Sequence, residues 1–176
     1  MANVTYDKNC LTVLDHPLIG HKMTILRDES TAPAHFRKLV HELAALEAYE
    51  ATRDLPTMQV QVKTPICETE GVRLKDDTLA VVPILRAGMG MLEGVLSVVP
   101  SAAVGVLGME RDEETHEPHS YYAKMPQGIE NRMVLVIDPM LATGGSALAA
   151  IKYLREAGVK DIRLLVMVAA PEGVAA

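Results

Sequence analysis

The sequence is poor in aromatic residues and in cysteine. It contains no Trp and a single Phe, and aromatic residues make up 3% of the chain, which leaves few rings on which the bases of a nucleic acid could stack. Cys10 and Cys67 are far apart and show no Cys-x-x-Cys spacing. A disulfide framework, a zinc motif and a dithiol redox motif are therefore not indicated, and we expect two reduced thiols.

Basic runs, long apolar runs and targeting signals are also lacking. The formal net charge of −6 at pH 7 disfavours non-specific binding to the phosphates of nucleic acid. No segment approaches the roughly 20 apolar residues of a transmembrane helix, and residues 1–12 have neither the basic flank nor the apolar core of a signal peptide. We therefore expect no nucleic-acid partner, no membrane association and a cytoplasmic location.

The size and composition are those of one globular domain. The chain has 176 residues, of which 49% are hydrophobic and 23% are charged, close to the average for globular proteins. A chain of this length buries enough surface to fold without disulfides or structural metals. We expect a single domain over residues 1–176.

Hydrophobic spacing predicts a helix and then a hairpin in the first half of the chain. Apolar residues recur at offsets of three and four over residues 36–46, behind a helix-start signal at residues 30–33, so a helix should run to about Thr52. Residues 58–62 alternate between apolar and polar as a half-exposed strand does. A turn near residues 70–71 would return the chain as a β-hairpin.

Buried strands dominate the rest of the chain. Four runs are nearly continuously apolar, as strands covered on both faces must be: residues 79–85, 102–107, 133–137 and 162–169. Helical spacing follows the first and the third run, and the second of these helices should stop at Gly158. This alternation predicts an α/β fold with a mainly parallel sheet flanked by helices.

A polar segment over residues 111–127 shows neither helical nor strand spacing, so we predict a mobile arm there. Ligands of parallel sheets bind beyond the carboxyl ends of the strands. The arm lies beside two such ends, which makes it a candidate lid.

The strand end at residues 138–146, Asp-Pro-Met-Leu-Ala-Thr-Gly-Gly-Ser, indicates a site for a ribose phosphate. Glycine amides at a helix start can approach a phosphate closely, and the hydroxyls of Thr143 and Ser146 can complete its hydrogen bonds. Asp138 would repel a phosphate but can accept hydrogen bonds from ribose hydroxyls. For residues 143–146 alone, an ordinary helix cap in a glycine-rich turn is the alternative.

Other nucleotide, hydrolase and metal motifs fit less well. Residues 144–146 lack the lysine of a P-loop, and Leu148 stands where a nucleophile elbow requires glycine. Ala45 stands where a zinc helix beginning at His41 would need its second His. We expect all six histidines to be structural or solvated.

Arg86 and the glycines that follow it leave two interpretations open. Residues 88–94 follow a strand and open a helix as a dinucleotide-binding turn does, but the glycine spacing is one residue too long and Glu93 would oppose a pyrophosphate. Arg86 at the strand end can instead clamp a diphosphate with its guanidinium fork. The alternative role for Arg86 is a surface ion pair.

Motifs along nearly the whole chain resemble those of the uracil phosphoribosyltransferases. The matching stretches are residues 16–22, 49–52, 82–88, 111–115, 138–146 and 168–173. Most phosphoribosyltransferases have two adjacent acids at the start of the ribose phosphate site, whereas this chain has Asp138 followed by Pro139. That variant is typical of the uracil branch.

The resemblance implies a type I phosphoribosyltransferase-like fold and the conversion of uracil and 5-phosphoribosyl 1-diphosphate to uridine monophosphate and diphosphate. It implies Mg²⁺ carried in on the donor rather than held by a protein cage, a homo-oligomer, and, in the family, binding of GTP. The implied donor-binding residues are Arg86, Arg111, Asp138, Pro139, Met140, Leu141, Ala142, Thr143, Gly144, Gly145 and Ser146. Arg86 and Arg111 would stabilise the leaving diphosphate, and no acid or base is assigned.

The family's chains continue beyond the Pro-Glu-Gly of residues 171–173 into a segment that recognises uracil, whereas this sequence stops at Ala176. We expect that segment to be absent here, so no uracil-binding residue is assigned. The alternative to an active enzyme is a truncated or regulatory protein that binds the donor without turnover. An RNA-binding regulator on the same scaffold is disfavoured by the acidic balance.

Overall fold

The computed structural model describes residues 10–111 and 118–176. The helices are α1 (Pro17–Arg27), α2 (Pro33–Ala51), α3 (Met89–Val98), α4 (Gly145–Glu156) and α5 (Pro171–Ala175), with a 3-10 turn at Ile129–Asn131. The strands are β1 (Thr57–Lys63), β2 (Glu68–Leu74), β3 (Leu79–Leu85), β4 (Ala103–Val104), β5 (Val106–Arg111), β6 (Pro118–Lys124), β7 (Met133–Ile137), β8 (Met140–Leu141), β9 (Asp161–Leu165) and β10 (Val168–Ala169).

The central sheet has the strand order β6-β5-β3-β7-β9, with β4 paired to β3. β3 pairs in parallel with β5 and β7, β7 pairs in parallel with β9, and only β6 on the edge runs antiparallel. The parallel α/β fold predicted from the apolar runs is confirmed. β3 and β7 also have the predicted bounds, because a strand covered on both faces leaves an unbroken apolar run.

Helices cover both faces of this sheet. On one face, α2 and α3 pack on side chains such as Val81 and Leu135, and on the other face, α4 packs on Val82 and Val136. Successive residues of β3 and β7 thus alternate between two apolar cores, as the pleat of a strand requires. No helix in the described part of the chain has the length and apolar character needed to cross a membrane.

The position predicted for the hairpin turn is wrong. The hairpin turn lies at residues 64–67, where the Thr64 hydroxyl accepts hydrogen bonds from the amides of Ile66 and Cys67, at 3.3 and 3.0 Å. Gly71 lies inside β2, opposite Val60, rather than in the turn. The turn forms at Thr64 rather than at Gly71 because the Thr64 side chain accepts hydrogen bonds from backbone amides within the turn.

The polar segment predicted as an arm without regular structure is a strand over part of its length. β6 pairs antiparallel with β5, and its edge position allows the polar sequence that concealed it. Residues 112–117 of the predicted lid lie outside the described residues. Two other strand runs are interrupted, since Gly105 separates β4 from β5 and residues 166–167 separate β9 from β10.

Helix α1 was not predicted, because it has no fully buried residue and therefore little hydrophobic spacing. Its start is capped by His16, whose Nδ1 accepts a hydrogen bond from the Leu18 amide at 3.1 Å. Histidine is an uncommon cap, so the start signal in the sequence is Pro17 at the first helical position rather than the capping residue.

Close packing of α2 on α3 depends on Gly94. A Cβ at this position would lie 2.2 Å from the carbonyl oxygen of His41 and 2.9 Å from the Cβ of Ala44. We expect Gly94→Ala to lower the free energy of unfolding by about 2 kcal/mol, because the two helix backbones would have to separate. Urea unfolding followed by circular dichroism measures this change.

Gly90→Ala is the matched control for Gly94. A Cβ at Gly90 would lie 3.6 Å from Cγ1 of Val40, which is ordinary van der Waals contact. Alanine is the better helix former, so this variant should be neutral or more stable by up to about 1 kcal/mol. Equal losses in the two variants would show that the contact with His41 does not limit the packing.

Glu47 on α2 carries a buried carboxyl oxygen, Oε2, that has no hydrogen-bond partner among the described residues. Burial raises the pKa of Glu47 to about 7. The folded chain then holds this proton up to about pH 7, whereas the unfolded chain releases it near pH 4.5, the ordinary pKa of a glutamate. Stability is therefore expected to fall as the pH rises from about 4.5 to about 7, by up to about 3 kcal/mol from this group.

The comparison of Glu47→Gln with the wild type isolates this effect. The neutral variant should lose the part of the pH dependence that Glu47 causes, so the two stability curves should diverge above about pH 5 with Glu47→Gln the more stable. Glu93→Gln, at an exposed position on α3, should track the wild type. Parallel curves for Glu47→Gln and the wild type would mean that Glu47 ionises normally.

Candidate functional site

The candidate site lies where β3 and β7 end side by side. The two strands pair in parallel from Leu79 and Met133 onward to Pro83 and Ile137, so the segments that begin at Arg86 and Asp138 leave the sheet at the same edge. Gly88 brings these segments into contact, since a Cβ there would lie 2.3 Å from the carbonyl oxygen of Ile137. Any larger residue would force the two segments apart.

Arg86 occupies the turn between β3 and α3. Its side chain is exposed, and the peptide bond between Leu85 and Arg86 is cis. Within residues 10–111 and 118–176 its guanidinium makes no hydrogen bond or ion pair. The surface ion pair left open by the sequence is therefore not formed with any described acid, and the guanidinium is available to an anion at this edge.

The loop over residues 138–144, here called the cradle loop, is held by main-chain hydrogen bonds to β10. β8 pairs in parallel with β10, and the Ala170 amide donates to the Leu141 carbonyl at 2.8 Å. The Pro139 carbonyl accepts from the amides of Met167 and Val168, both at 3.2 Å. The course of the loop is thus fixed by its backbone, while Met140, Ala142 and Thr143 remain exposed.

The cradle loop ends at the start of α4. Gly144 caps the helix with φ at +84°, in the left-handed region that favours glycine, and no side-chain hydrogen bond caps this helix. The first turn contains no acidic residue. Helix α4 does begin at the glycine-rich turn, as the capping alternative requires, and the amides of its first turn, which have no partner within the helix, could bind an anion that the helix dipole also favours.

Helix α5 supports the cradle loop from behind. A Cβ at Gly173 would lie 2.4 Å from the carbonyl oxygen of Ala142, and one at Gly144 would lie 3.0 Å from the Cβ of Ala176. The Pro-Glu-Gly motif therefore packs main chain against main chain. Its role in shaping the loop was not recognised from the sequence, although a glycine just inside a short helix was a signal for such a close approach.

Asp138 is half-buried at the start of the cradle loop. Burial raises the pKa of the Asp138 carboxyl, and a hydrogen bond from the Met140 amide opposes that rise. A carboxylate held in this way retains oxygen lone pairs for further hydrogen bonds from hydroxyl groups. The ribose-binding role of Asp138 stays a prediction.

Arg111 is the last residue of β5, a strand that extends beyond β3. The pairing of β5 with β3 ends at Gly108 opposite Leu85, so residues 109–111 project past the sheet edge that carries Arg86 and Asp138. This backbone position is compatible with a role near the cradle loop. The contacts of the Arg111 side chain stay a prediction from the resemblance.

The dinucleotide interpretation of residues 88–94 is not supported by the packing. Gly88 fits against Ile137, and Gly94 fits against the backbone of α2. Both glycines thus serve contacts within the protein. In the described ranges, 10–111 and 118–176, no group of three or more His, Cys, Asp or Glu side chains could hold a metal ion.

Comparisons with known proteins point to one family. The family sequence model described as uracil phosphoribosyltransferase matches residues 13–176. A protein of that name from Agathobacter rectalis is 56% identical over 164 residues, covering 93% of this chain and 78% of the relative. One from Lactobacillus gasseri is 55% identical over 165 residues, with coverage of 94% and 79%.

Solved structures agree in fold. A protein from Aquifex aeolicus is 39% identical and superposes with a TM-score of 0.86, over 93% of this chain and 78% of that one. A hypoxanthine phosphoribosyltransferase from Staphylococcus aureus is 16% identical, with a TM-score of 0.56 over 80% and 68% of the two chains. At that identity the likeness concerns the fold alone.

Proposed function

The chain belongs to the uracil phosphoribosyltransferase family, and from that membership we propose that it converts uracil and 5-phosphoribosyl 1-diphosphate to uridine monophosphate and diphosphate. A member of this family is a phosphoribosyltransferase, that is, a glycosyltransferase that moves a pentosyl group. The reaction salvages a free pyrimidine base, and its partners are small molecules.

The observation that carries this proposal is the contact of Gly88 with Ile137, which joins the Arg86 turn to the cradle loop. One edge of the sheet then offers a free guanidinium, a half-buried carboxylate and an uncapped helix start, which are the groups that bind a diphosphate, a ribose and a phosphate. The proposed donor site consists of Arg86, Arg111, Asp138, Pro139, Met140, Leu141, Ala142, Thr143, Gly144, Gly145 and Ser146.

In the proposed reaction, the bond between the anomeric carbon and the diphosphate oxygen breaks as a uracil nitrogen attacks from the opposite side, and the proton of that nitrogen passes to water or to the departing diphosphate. Positive character develops on the sugar and negative charge on the leaving diphosphate. Arg86 and Arg111 would stabilise the diphosphate, and the α4 amides would hold the 5-phosphate. Asp138 would orient the ribose through its hydroxyls.

Mg²⁺ bound to the donor would neutralise part of the charge on the diphosphate. The residues present fit an ion ligated mainly by substrate oxygens and water, since Asp138 is the one acid in residues 138–146 and Mg²⁺ usually retains several waters. The protein group that would approach it is the Asp138 carboxylate, at the ribose.

Two further features complete the proposal. The reaction would take place in the cytoplasm, since a polyanionic sugar phosphate does not cross a bilayer unaided. The chain would act as a homo-oligomer.

Oligomer formation is supported by the β1–β2 hairpin, which forms a sheet of only two strands. Its exposed side chains include Ile66 at 95% and Val72 at 64% exposure. A two-stranded hairpin is marginal in water by itself, so cover from another copy of the chain would stabilise it. Sedimentation equilibrium gives the mass that decides between monomer and oligomer.

The direct test uses the 176-residue chain with radiolabelled uracil, 5-phosphoribosyl 1-diphosphate and Mg²⁺. Formation of labelled uridine monophosphate is the expected result. Calorimetric titration with the donor runs in parallel. Donor binding without product would favour a binding protein over an enzyme. Titration with RNA tests the alternative that the chain is an RNA-binding regulator.

A further inference from the structure

Tyr121 on β6 lies flat against the main chain of β5 at Gly108. A Cβ added to Gly108 would lie 2.5 Å from Cζ, 2.7 Å from Cε2 and 3.0 Å from Cε1 of this ring. The ring therefore occupies the space that any other residue at position 108 would fill. Tyr121 is nevertheless 49% exposed, so burial in a core does not explain its placement.

This contact lies where β5 leaves the central sheet. The pairing of β5 with β3 ends at Gly108, and the register of β5 with β6 shifts between Gly108 and Met109. Gly108 pairs with Tyr122 and Met109 pairs with Ser120, which leaves Tyr121 as the extra residue of a bulge. The bulge is in β6, so β6 bends there, and the increased local twist of the pair changes the direction in which β5 continues beside it.

Both faces of β5 are in contact with other side chains at this register shift. Met109 packs against the apolar core on the α4 face of the sheet. Gly108 points to the opposite face, where the Tyr121 ring covers it. Residues 109–111 project from this fixed point past Leu85, the residue that precedes Arg86.

We propose that Tyr121, seated on Gly108, is a positioning residue for the donor: its ring sets the angle at which residues 109–111 rise past β3 and so brings Arg111 to the edge that carries Arg86 and Asp138. The proposal deepens the proposed function and rests on the donor-binding role given there to Arg111. Tyr121 acts through Arg111 and touches no reacting atom. It contributes to donor affinity rather than to affinity for uracil.

The test measures the donor dissociation constant by calorimetry in the presence of Mg²⁺, together with KM for each substrate. Tyr121→Ala should weaken donor binding at least tenfold and raise KM for the donor, with KM for uracil changed less than twofold. Tyr121→Phe keeps the ring on Gly108 and should stay within twofold of the wild type. Tyr122→Ala is the matched control, since Tyr122 is 48% exposed on the same strand and should also bind the donor normally.

Two further variants separate a positioning role of Tyr121 from general disruption of the β5–β6 pair. Gly108→Ala displaces the ring without removing it and should weaken donor binding as Tyr121→Ala does. In an Arg111→Ala background, Tyr121→Ala should add less than a twofold loss, because the group through which Tyr121 acts is already gone. A further tenfold loss in that background, or equal losses for Tyr121→Ala and Tyr122→Ala, would overturn the proposal.

Donor affinity as the readout keeps this test independent of turnover. A wild-type chain that binds the donor and forms no uridine monophosphate contradicts the proposed function, while the Tyr121 variants still support or overturn the positioning role.

Discussion

Arg86→Ala is expected to lower kcat/KM for the donor about a thousandfold while the chain stays folded. The guanidinium is exposed and forms no hydrogen bond or ion pair within the described ranges, so its removal leaves no partner unsatisfied. What is lost is charge-assisted binding to the leaving diphosphate, which strengthens as that group acquires negative charge. The loss should therefore affect kcat as well as KM.

Steady-state kinetics with varied donor, and a thermal unfolding scan, measure the two parts of this prediction. Arg73→Ala is the matched control, because Arg73 is an exposed arginine on β2, in the separate two-stranded sheet. It should leave both kinetics and unfolding unchanged. Near-normal activity of Arg86→Ala would remove Arg86 from the site, and Arg86→Lys should recover only part of the loss, because an ammonium cannot form the two parallel hydrogen bonds of a guanidinium.

Asp138→Asn is expected to lower kcat/KM about a hundredfold, or about 2.7 kcal/mol, which is the size of one hydrogen bond to a charged group. The amide oxygen of asparagine can still accept from the Met140 amide, so the cradle loop should keep its course. The variant loses the negative charge that faces the ribose hydroxyls and the positive character of the sugar in the transition state.

The pH profile gives a second readout for Asp138. Because burial raises the pKa of Asp138, protonation should begin to reduce activity at a higher pH than an ordinary aspartate would, and Asp138→Asn should lack that acidic decline. Asp76→Asn, an exposed carboxylate just before the start of β3, serves as control. An Asp138→Asn enzyme that keeps wild-type kcat/KM would show that the carboxylate does not orient the ribose.

The strands whose bounds could be predicted are those in which consecutive residues are all buried. β3 and β7 are enclosed on both faces, so their bounds could be read from unbroken apolar runs. α1 and β6 lie at the periphery, where few positions must be apolar, and their sequences resemble those of loops. The hairpin turn was misplaced because a threonine hydroxyl, rather than a glycine, satisfies its amides.

The candidate site also has a part that the sequence predicts and a part that it does not. Residues 138–146 form one continuous segment between a strand and a helix, so the sequence alone indicated a phosphate site there. The contacts of Gly88 with Ile137 and of Gly173 with Ala142 join segments far apart in the chain. Such clearances are set by the tertiary fold, and no spacing rule in a single sequence reports them.

The glycine contacts at the cradle loop determine which substitutions the site tolerates. Because Gly88 and Gly173 each approach a carbonyl oxygen of another segment, the shape of the site is set by distances between main chains. Exposed side chains such as Met140 and Ala142 can therefore be changed without moving these main chains, while a single added methyl group at either glycine would displace them. Substitutions of the exposed side chains of this site are therefore better tolerated than substitutions of these two glycines.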